Sequence, residues 1–257
     1  MKKKVPKRKA PKNEYPDFEE INVKPQGKEF FVEKAKSGVP GFDDMLRGGI
    51  PRGSLVVLSG SPGSGKTIFC LQFIYAGLSQ YNENCVLILL EESKEEIFET
   101  VKAFGWDFEE FVKQKKLKIL SVNLYDFEIL KNNMEDAIRS IGAKRVVIDP
   151  GVLFKLFFEK ELDARKNIVA LGQILKKRAC TTIITNELSL DVNSSLYGLE
   201  EYVADGVVLL YHTRVKNKFV RSIAVVKMRN TQISEQLKPV SITKAGIQVH
   251  AESELFT

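Results

Sequence analysis

The run Ser54-Leu-Val-Val-Leu-Ser-Gly60 leads directly into Ser61-Pro-Gly-Ser-Gly-Lys-Thr67. The first stretch is short, apolar and ends in glycine, a pattern typical of a buried parallel strand. In the second, glycines let the backbone turn tightly and point successive N–H groups at phosphate oxygens. An apolar-periodic segment from about Gly65 to Gln80 predicts a helix whose positive dipole end adds to the same place. Together they predict a strand, a phosphate-binding P-loop and a helix in succession.

The loop residues predict a nucleoside triphosphate with Mg²⁺ as the ligand. Lys66 is expected to reach the β and γ phosphates, and the Thr67 hydroxyl to complete the coordination of Mg²⁺. We therefore predict ATP or ADP and Mg²⁺ as cofactors. The alternative is a glycine-rich turn beside a solvated lysine. The nucleotide-binding residues are predicted to be those of the loop and the first helical turn, namely Ser61, Pro62, Gly63, Ser64, Gly65, Lys66, Thr67 and Ile68.

Strands and helices alternate along the next part of the chain. Apolar runs predict strands at 85–90, 117–122, 145–149 and 181–185. Apolar periodicity, with capping residues, predicts helices at 94–104, 107–115, 126–141 and 159–179. After Asp205, four runs separated by short polar loops predict antiparallel strands that extend the sheet, at 206–212, 221–227, 238–243 and 246–250. The predicted fold is α/β, with a mostly parallel central sheet flanked by helices on both faces and C-terminal antiparallel strands.

Acidic residues follow two of the predicted strands. Asp149 ends an apolar strand, where a carboxylate is costly unless it meets a cation or hydrogen-bond donors. We predict that it joins Thr67 as a metal ligand, the alternative being a turn aspartate. Glu91 and Glu92 follow another strand, and because the carboxyl ends of neighbouring strands converge, they are predicted to activate the attacking water. The alternative is that this pair caps the helix starting near Ser93.

Polar residues also close two later strands. Asn186 and Glu187 end the fifth strand, where a side chain could sense the γ-phosphate or simply begin a loop. Lys227 and Arg229 end a late strand, and phosphoryl transfer gains from cations placed on the transferred oxygens. If chains packed head to tail, these two cations could reach a neighbour's nucleotide. The alternative is a solvated strand end.

Composition bounds the class of protein. The chain has 257 residues, 44% of them hydrophobic, which is enough for one α/β domain with a full core. No stretch approaches the roughly 18 apolar residues of a membrane span, so we expect no membrane insertion. Cys70, Cys85 and Cys180 lie far apart in apolar surroundings, which predicts buried reduced thiols and a cytoplasmic location. His212 and His250 are too separated to suggest a metal site.

The net charge of +6 comes from one end of the chain. Residues 1–12 hold seven Lys or Arg and no acid, and removing these seven charges from the total leaves the rest at −1. We predict a basic, disordered tail at 1–30, an ATPase domain at 31–250 and a short C-terminal tail at 251–257. The basic tail is either a solvated arm or an arm that touches nucleic acid or another anionic surface.

At this point the sequence resembles the KaiC branch of the RecA-like P-loop ATPases, from Ser37 to about Val249. The residues that carry the resemblance lie in family order: Ser37-Gly-Val-Pro-Gly-Phe-Asp43, Gly48-Gly-Ile-Pro-Arg-Gly53, the P-loop, Glu91-Glu-Ser93, Phe104-Gly-Trp-Asp107, Val147-Ile-Asp149, Glu200-Glu-Tyr-Val-Ala-Asp-Gly206 and Lys227-Met-Arg229. The resemblance implies a RecA-type core in a homo-oligomer, most often a hexameric ring, with ATP between subunits. It assigns water activation to Glu91 and Glu92 and the contact across subunits to Lys227 and Arg229.

The sequence also departs from the family pattern. Two-domain members of the family carry an autophosphorylated Ser-Thr pair, whose place is taken here by Glu201-Tyr202, so we predict no autophosphorylation of that type. Pro150 replaces the small hydroxyl residue usual after the metal-binding aspartate, and Asn230 replaces a glycine. The resemblance implies a regulatory or signalling ATPase with an unidentified protein partner. The alternative is a recombinase paralogue that binds DNA through its basic tail or ring lumen, since fold does not settle function.

Overall fold

The computed structural model describes residues 32–121, 126–151, 157–188 and 203–253, without the side chain of Glu161. Several predictions lie outside this part: the basic tail, the end of the strand at Val122, and the departure at Glu201-Tyr202. Residues Val32–Thr257 form one compact unit. The division of the chain into an ATPase domain and two tails stays a prediction.

Seventeen elements follow one another in the described residues. The strands are β1 (Lys34–Ala35), β2 (Ile50–Pro51), β3 (Leu55–Gly60), β4 (Cys85–Leu89), β5 (Leu117–Ser121), β6 (Arg145–Asp149), β7 (Thr181–Glu187), β8 (Gly206–Val215), β9 (Lys218–Met228), β10 (Lys238–Thr243) and β11 (Gly246–Val249). The helices are α1 (Phe42–Met45), α2 (Lys66–Gln80), α3 (Lys94–Ala103), α4 (Phe108–Lys113), α5 (Phe127–Ile141) and α6 (Glu161–Lys177).

Nine strands form one sheet in the order β11-β10-β9-β8-β3-β7-β6-β4-β5. The six strands from β8 to β5 in that order run parallel, and β9, β10 and β11 continue the sheet by antiparallel pairing. The predicted α/β fold is therefore confirmed, with its C-terminal antiparallel extension. Because parallel strands share a direction, β3, β7, β6 and β4 all deliver their last residues to one edge of the sheet.

Side chains alternate between the two faces of the central strands and build two cores. Leu87 and Leu89 pack with α2 on one face. Val86 and Ile88 pack with α5 and α6 on the other. This period of two, in strands that are apolar at every position, requires helices on both faces of the sheet.

Capping residues set the helix boundaries much as the sequence indicated. Asp107 and Asp126 accept hydrogen bonds from backbone N–H groups at the starts of α4 and α5. Gly142 ends α5 in the left-handed conformation, with φ of 60°. Since glycine adopts this conformation without strain, it stops the helix where predicted. The ends of α4 and α6 differ from the predicted limits by two residues.

The sequence analysis did not predict three short elements, and it predicted the strands of one hairpin too short. β1, α1 and β2 span only two to four residues each, which is too short for a periodic apolar pattern. The β8 and β9 strands run on to Val215 and back from Lys218, beyond the predicted apolar runs. Their outer ends mix polar and apolar residues and are mostly exposed, so no continuous apolar run reveals them.

The three cysteines are free and buried, as predicted. Burial raises the pKa of the Cys70 and Cys85 thiols, and raises that of Cys180 to about 11. In the part of the chain that the structure describes, no helix is long and apolar enough to cross a bilayer.

Candidate functional site

The P-loop lies at the carboxyl end of β3 and turns into α2. Gly63 and Gly65 have φ of 73° and 106°, in the left-handed region that favours glycine. A Cβ at Gly65 would lie 3.1 Å from Ile242 and 3.3 Å from Ile247, so a side chain at this position would be tightly packed. Helix α2 begins at Lys66, and its first N–H groups have no partner within the helix. A loop and a helix end arranged in this way can bind an anion.

The Lys66 side chain folds back over its own loop. Its Nζ donates hydrogen bonds to the carbonyl oxygens of Gly60, at 2.9 Å, and Ser61, at 3.3 Å. Burial lowers the pKa of this ammonium, while the Glu187 and Asp149 carboxylates oppose the shift. An ammonium has three donors, so two bonds to the loop leave one for an anion.

The first two residues of α2 connect the loop to the metal-binding candidate on β6. The Thr67 hydroxyl donates to Oδ2 of Asp149 at 2.9 Å. The Thr185 hydroxyl on β7 donates to Oδ1 of the same carboxylate. A hydroxyl and a carboxylate are hard oxygen ligands of the kind that Mg²⁺ prefers. The donor set at Thr67 and Asp149 therefore fits the predicted metal.

A second hydroxyl of the loop is buried. Ser64 is fully buried, and its Oγ has no hydrogen-bond partner within the described residues. The sequence predicted Ser64 only as one member of the loop. Its neighbours Ser61, Pro62 and Gly63 form the more exposed tip.

Glu91 and Glu92 stand at the same edge of the sheet, in the turn after β4. Leu89, the last residue of β4, pairs with Asp149. Burial raises the pKa of Glu92, and the nearby Asp149 carboxylate adds to the shift. This burial is only partial, because both glutamates keep more than a third of their surface exposed to solvent. The structure thus brings this acidic pair beside the candidate metal ligand.

The helix cap next to this pair is built from other residues. Ser93 Oγ accepts from the Glu96 N–H at 3.2 Å, and the Glu96 carboxylate accepts from the Ser93 N–H at 2.7 Å. This reciprocal capping box fixes the start of α3 without Glu91 or Glu92. The alternative reading of the acidic pair as the helix cap is therefore not what the structure shows.

The end of β7 also reaches the loop. Glu187 pairs with Gly60, and its carboxylate lies near enough to oppose the lowering of the Lys66 pKa. Asn186 is buried, and its Oδ1 accepts from the Glu187 N–H at 3.0 Å. The structure therefore places Glu187, at the strand end noted in the sequence, beside the loop lysine.

Lys227 and Arg229 lie at the opposite edge of the sheet from the loop of their own chain. Met228 pairs with Gly206, which pairs in turn with Val56 on β3. Val56 precedes Gly60 by four residues, about 13 Å of strand at ~3.3 Å per residue. The structure does not bring these two cations to the P-loop of the same subunit.

The two cations are held there by the segment that enters β8. Lys227 Nζ donates to the Ala204 carbonyl at 2.7 Å, and Arg229 Nη1 donates to Asp205 Oδ1 at 3.1 Å. The side chain of Arg229 remains 53% exposed. A guanidinium anchored at one nitrogen and open to solvent can meet an anion from outside the chain.

Asp205, which holds Arg229, entered the sequence analysis only as part of a family motif. Burial acts to raise the pKa of its carboxyl, but the Leu55 N–H and the Lys176 ammonium outweigh that effect and lower it. The Lys176 contact is 2.7 Å long and the Leu55 contact 3.0 Å. An aspartate that ends a polar loop before a strand gives no signal of such a network.

Arg221 and His212 are two further neighbours of the loop that the sequence did not indicate. Arg221 Nε donates to the Gly63 carbonyl at 3.0 Å. A Cβ at Gly63 would lie 3.3 Å from His212 Nδ1. Both residues come from the β8–β9 hairpin, about 150 positions away in the sequence. No local pattern could connect them to the loop.

Known proteins match this chain over most of its length. The profile of the family described as ATPase, KaiC, matches residues 35–254. A UPF0273 protein of Methanocaldococcus jannaschii is 34% identical over 87% of this chain and 99% of its own length. The circadian clock protein KaiC2 of Synechocystis is 34% identical over 84% of this chain, but over only 40% of its own length.

A solved structure agrees with these sequence matches. The crystal structure of a KaiC-like protein from Pyrococcus horikoshii superimposes with a TM-score of 0.78 and 36% identity. The match covers 85% of this chain and 99% of that one. At this level of identity the likeness extends beyond the fold to the sequence.

Proposed function

The chain belongs to the KaiC family of ATPases, and on that premise we propose that it binds ATP with Mg²⁺ and hydrolyses it slowly to ADP and phosphate. We further propose that it acts as a regulatory or signalling ATPase whose nucleotide sites lie between subunits of a ring. The recombinase alternative is not favoured, because the named relatives are KaiC and UPF0273 proteins.

The observation that carries the proposal is the hydrogen bond between Thr67 and Asp149. It joins the first turn of the loop helix to the end of β6, so the phosphate-binding and metal-binding candidates form one site. Thr67 and Asp149 would hold Mg²⁺, and the bound ion would neutralise charge on phosphate oxygens. Lys66, anchored within the loop, adds a fixed positive charge to the same place.

We propose that the acidic pair, Glu91 and Glu92, activates the attacking water. Glu91 and Glu92 are adjacent in sequence and exposed beside Asp149. A carboxylate in this position can hold a water molecule and take its proton as it attacks the terminal phosphate. We propose that one of the two acts directly and the other assists.

Arg229 and Lys227 are proposed to act on the nucleotide of a neighbouring subunit. Their position at the far edge of the sheet argues against a role at their own loop. In a head-to-tail assembly, that edge of one subunit would face the loop edge of the next. This arrangement is the one that the family resemblance implies.

A binding and turnover experiment tests the proposal. Calorimetry with Mg-ATP should show binding by the wild type, and phosphate release should be measurable. Lys66→Ala should weaken binding about 100-fold, since hydrogen bonds to charged groups are worth roughly 1.5–3 kcal/mol each. Lys113→Ala, which removes an exposed lysine on α4, is the matched control and should bind as the wild type does.

The catalytic part of the proposal needs a different variant. Glu91→Gln combined with Glu92→Gln should still bind Mg-ATP but should lose most phosphate release. Equal turnover by this double variant and the wild type would remove the proposed role of the acidic pair. Absence of Mg-ATP binding by the wild type itself would contradict the proposed function altogether.

A further inference from the structure

The β8–β9 hairpin lies against the P-loop through one of its faces. His212 pairs with Arg221 across the two strands, so both side chains project from the same face. Arg221 Nε donates to the Gly63 carbonyl, and a Cβ placed on Gly63 would lie 3.3 Å from His212 Nδ1, so both side chains face the loop. The hairpin therefore supports the loop from outside, on a rigid antiparallel ladder.

The contact fixes one particular peptide unit, the one between Gly63 and Ser64. Its N–H donates to the Ser61 carbonyl at 3.2 Å. Its carbonyl accepts from Arg221 Nε at 3.0 Å. Because a peptide unit is planar, holding both ends fixes its orientation. This peptide immediately precedes Gly65 and Lys66, whose N–H groups open the anion-binding end of α2.

The surroundings of Arg221 are free of negative charge from its own hairpin. The hairpin, Gly206–Met228, contains five Lys or Arg and no Asp or Glu. Arg221 Nη1 and Nη2 form no ion pair or hydrogen bond with the residues that the structure describes. A guanidinium is charged at every accessible pH, so it adds a permanent positive charge beside the loop.

We propose that Arg221 is a positioning residue for the phosphate-binding loop: by holding the Gly63 carbonyl, it keeps the loop in the shape that receives nucleotide phosphates. The inference rests on the proposed nucleotide binding and adds to it a residue outside the loop. Arg221 acts through the backbone of Gly63 and Ser64, and contact between Arg221 and the nucleotide is no part of the proposal. The gain in affinity comes from pre-organisation, because a loop held in its bound shape loses less freedom on binding.

Two substitutions at Arg221 separate geometry from charge. Arg221→Gln removes the charge and shortens the reach to Gly63. Arg221→Lys keeps the charge but replaces the planar guanidinium by a single point donor. The matched control is Arg214→Gln, on the same hairpin, where Arg214 is exposed and bonds only to the Lys216 carbonyl within the described residues.

The measurement is the Kd for Mg-ATP and Mg-ADP by calorimetry, with thermal melting of each variant in the absence and presence of nucleotide. Arg221→Gln should raise both Kd values about 10-fold or more, as expected for loss of a charge-assisted hydrogen bond. Its melting temperature without nucleotide should stay close to the wild-type value, because the contact is a solvent-accessible one. The Kd values of Arg221→Lys should lie between those of the wild type and those of Arg221→Gln. The Kd values of Arg214→Gln should stay within about twofold of the wild-type values.

Each other result overturns the inference in a distinct way. Unchanged Kd values for Arg221→Gln would show that the loop keeps its shape without the contact. Equal weakening by Arg221→Gln and Arg214→Gln would show that only the summed charge matters. If Arg221→Gln does not fold, Arg221→Lys decides alone: wild-type affinity in that variant would exclude a role for guanidinium geometry. Failure of the wild type to bind either nucleotide would contradict the proposed function and this inference with it.

Discussion

At the scale of single residues, the most constrained side chain is Arg145, the first residue of β6. It is fully buried, and its Nε donates to the Glu83 carboxylate at 2.5 Å. Its Nη1 donates to the carbonyls of Lys36 and Phe73, both at 2.8 Å. No pattern in the sequence predicts this network, because a charged residue at a strand start is usually exposed. The bond to Phe73 ties the loop helix α2 to the central sheet.

We expect the Glu83–Arg145 pair to make stability depend on pH. Burial acts to raise the pKa of Glu83, but the bonds and charges of Arg145 and then Arg52 outweigh it and lower the pKa. A lowered folded-state pKa contributes stability above the unfolded value, about 4.3, and this stability is lost as the pH falls through the folded value. Glu83→Gln should therefore remove part of the acid sensitivity, measured by urea unfolding from pH 7 to pH 3.

The same variant should be destabilised at neutral pH by about 3 kcal/mol or more, because Arg145 is left buried without its counter-charge. Glu33→Gln is the control, since Glu33 binds Arg52 at 2.7 Å but is 77% exposed. That change should alter stability by under about 1 kcal/mol. Equal losses in the two variants would contradict the assignment of the effect to burial.

At the scale of elements, the sequence was informative wherever a segment was long and periodic. The alternation of strands and helices from β3 to β7, and the four late strands, follow from apolar patterning and capping residues. The placement of Asp149, Glu91 and Glu187 at one edge of the sheet was predictable because parallel strands share a direction. Contacts that join distant segments, such as that of Arg221 with Gly63, could not be predicted. The local sequence around either residue does not indicate which distant residue it contacts.

The start of α3 offers a test of how one element supports the site. Ser93→Ala removes the hydroxyl of the capping box that directly follows Glu91 and Glu92. We expect a loss of about 1 kcal/mol in the free energy of unfolding, the usual cost of an N-cap substitution. Ser79→Ala, whose hydroxyl bonds the Tyr75 carbonyl within α2, should be nearly neutral. Denaturant unfolding measures the free energy of unfolding of both variants. Equal losses in the two would contradict a stabilising role for the cap.

At the scale of the whole molecule, the sheet places two halves of the proposed site at opposite edges. The P-loop, Asp149 and the acidic pair lie at one edge, and Arg229 with Lys227 lies at the other. A two-fold dimer brings like surfaces together, whereas a head-to-tail contact brings unlike ones together. The proposed site is completed only by the second kind of contact.

Mixed assemblies test this arrangement. Arg229→Ala should lower turnover while leaving Mg-ATP binding largely intact, because the group would act in the transition state on a neighbour. Co-expressed Arg229→Ala and Lys66→Ala subunits should regain about one quarter of wild-type sites, since random head-to-tail order pairs an intact loop with an intact cation that often. Native mass spectrometry with and without ATP gives the ring size, for which we expect six subunits. No recovery of phosphate release in the mixed rings would exclude action across subunits.

The burial of all three cysteines has a practical consequence for such work. Thiol reagents attack the thiolate, and Cys70, Cys85 and Cys180 combine burial with a raised pKa. The chain is therefore a background on which maleimide dyes should find little to label at neutral pH. A cysteine introduced on the exposed hairpin turn, for example by Asn217→Cys, would carry the dye alone. Energy transfer between such dyes could then follow subunit exchange in a chain that keeps its native thiols.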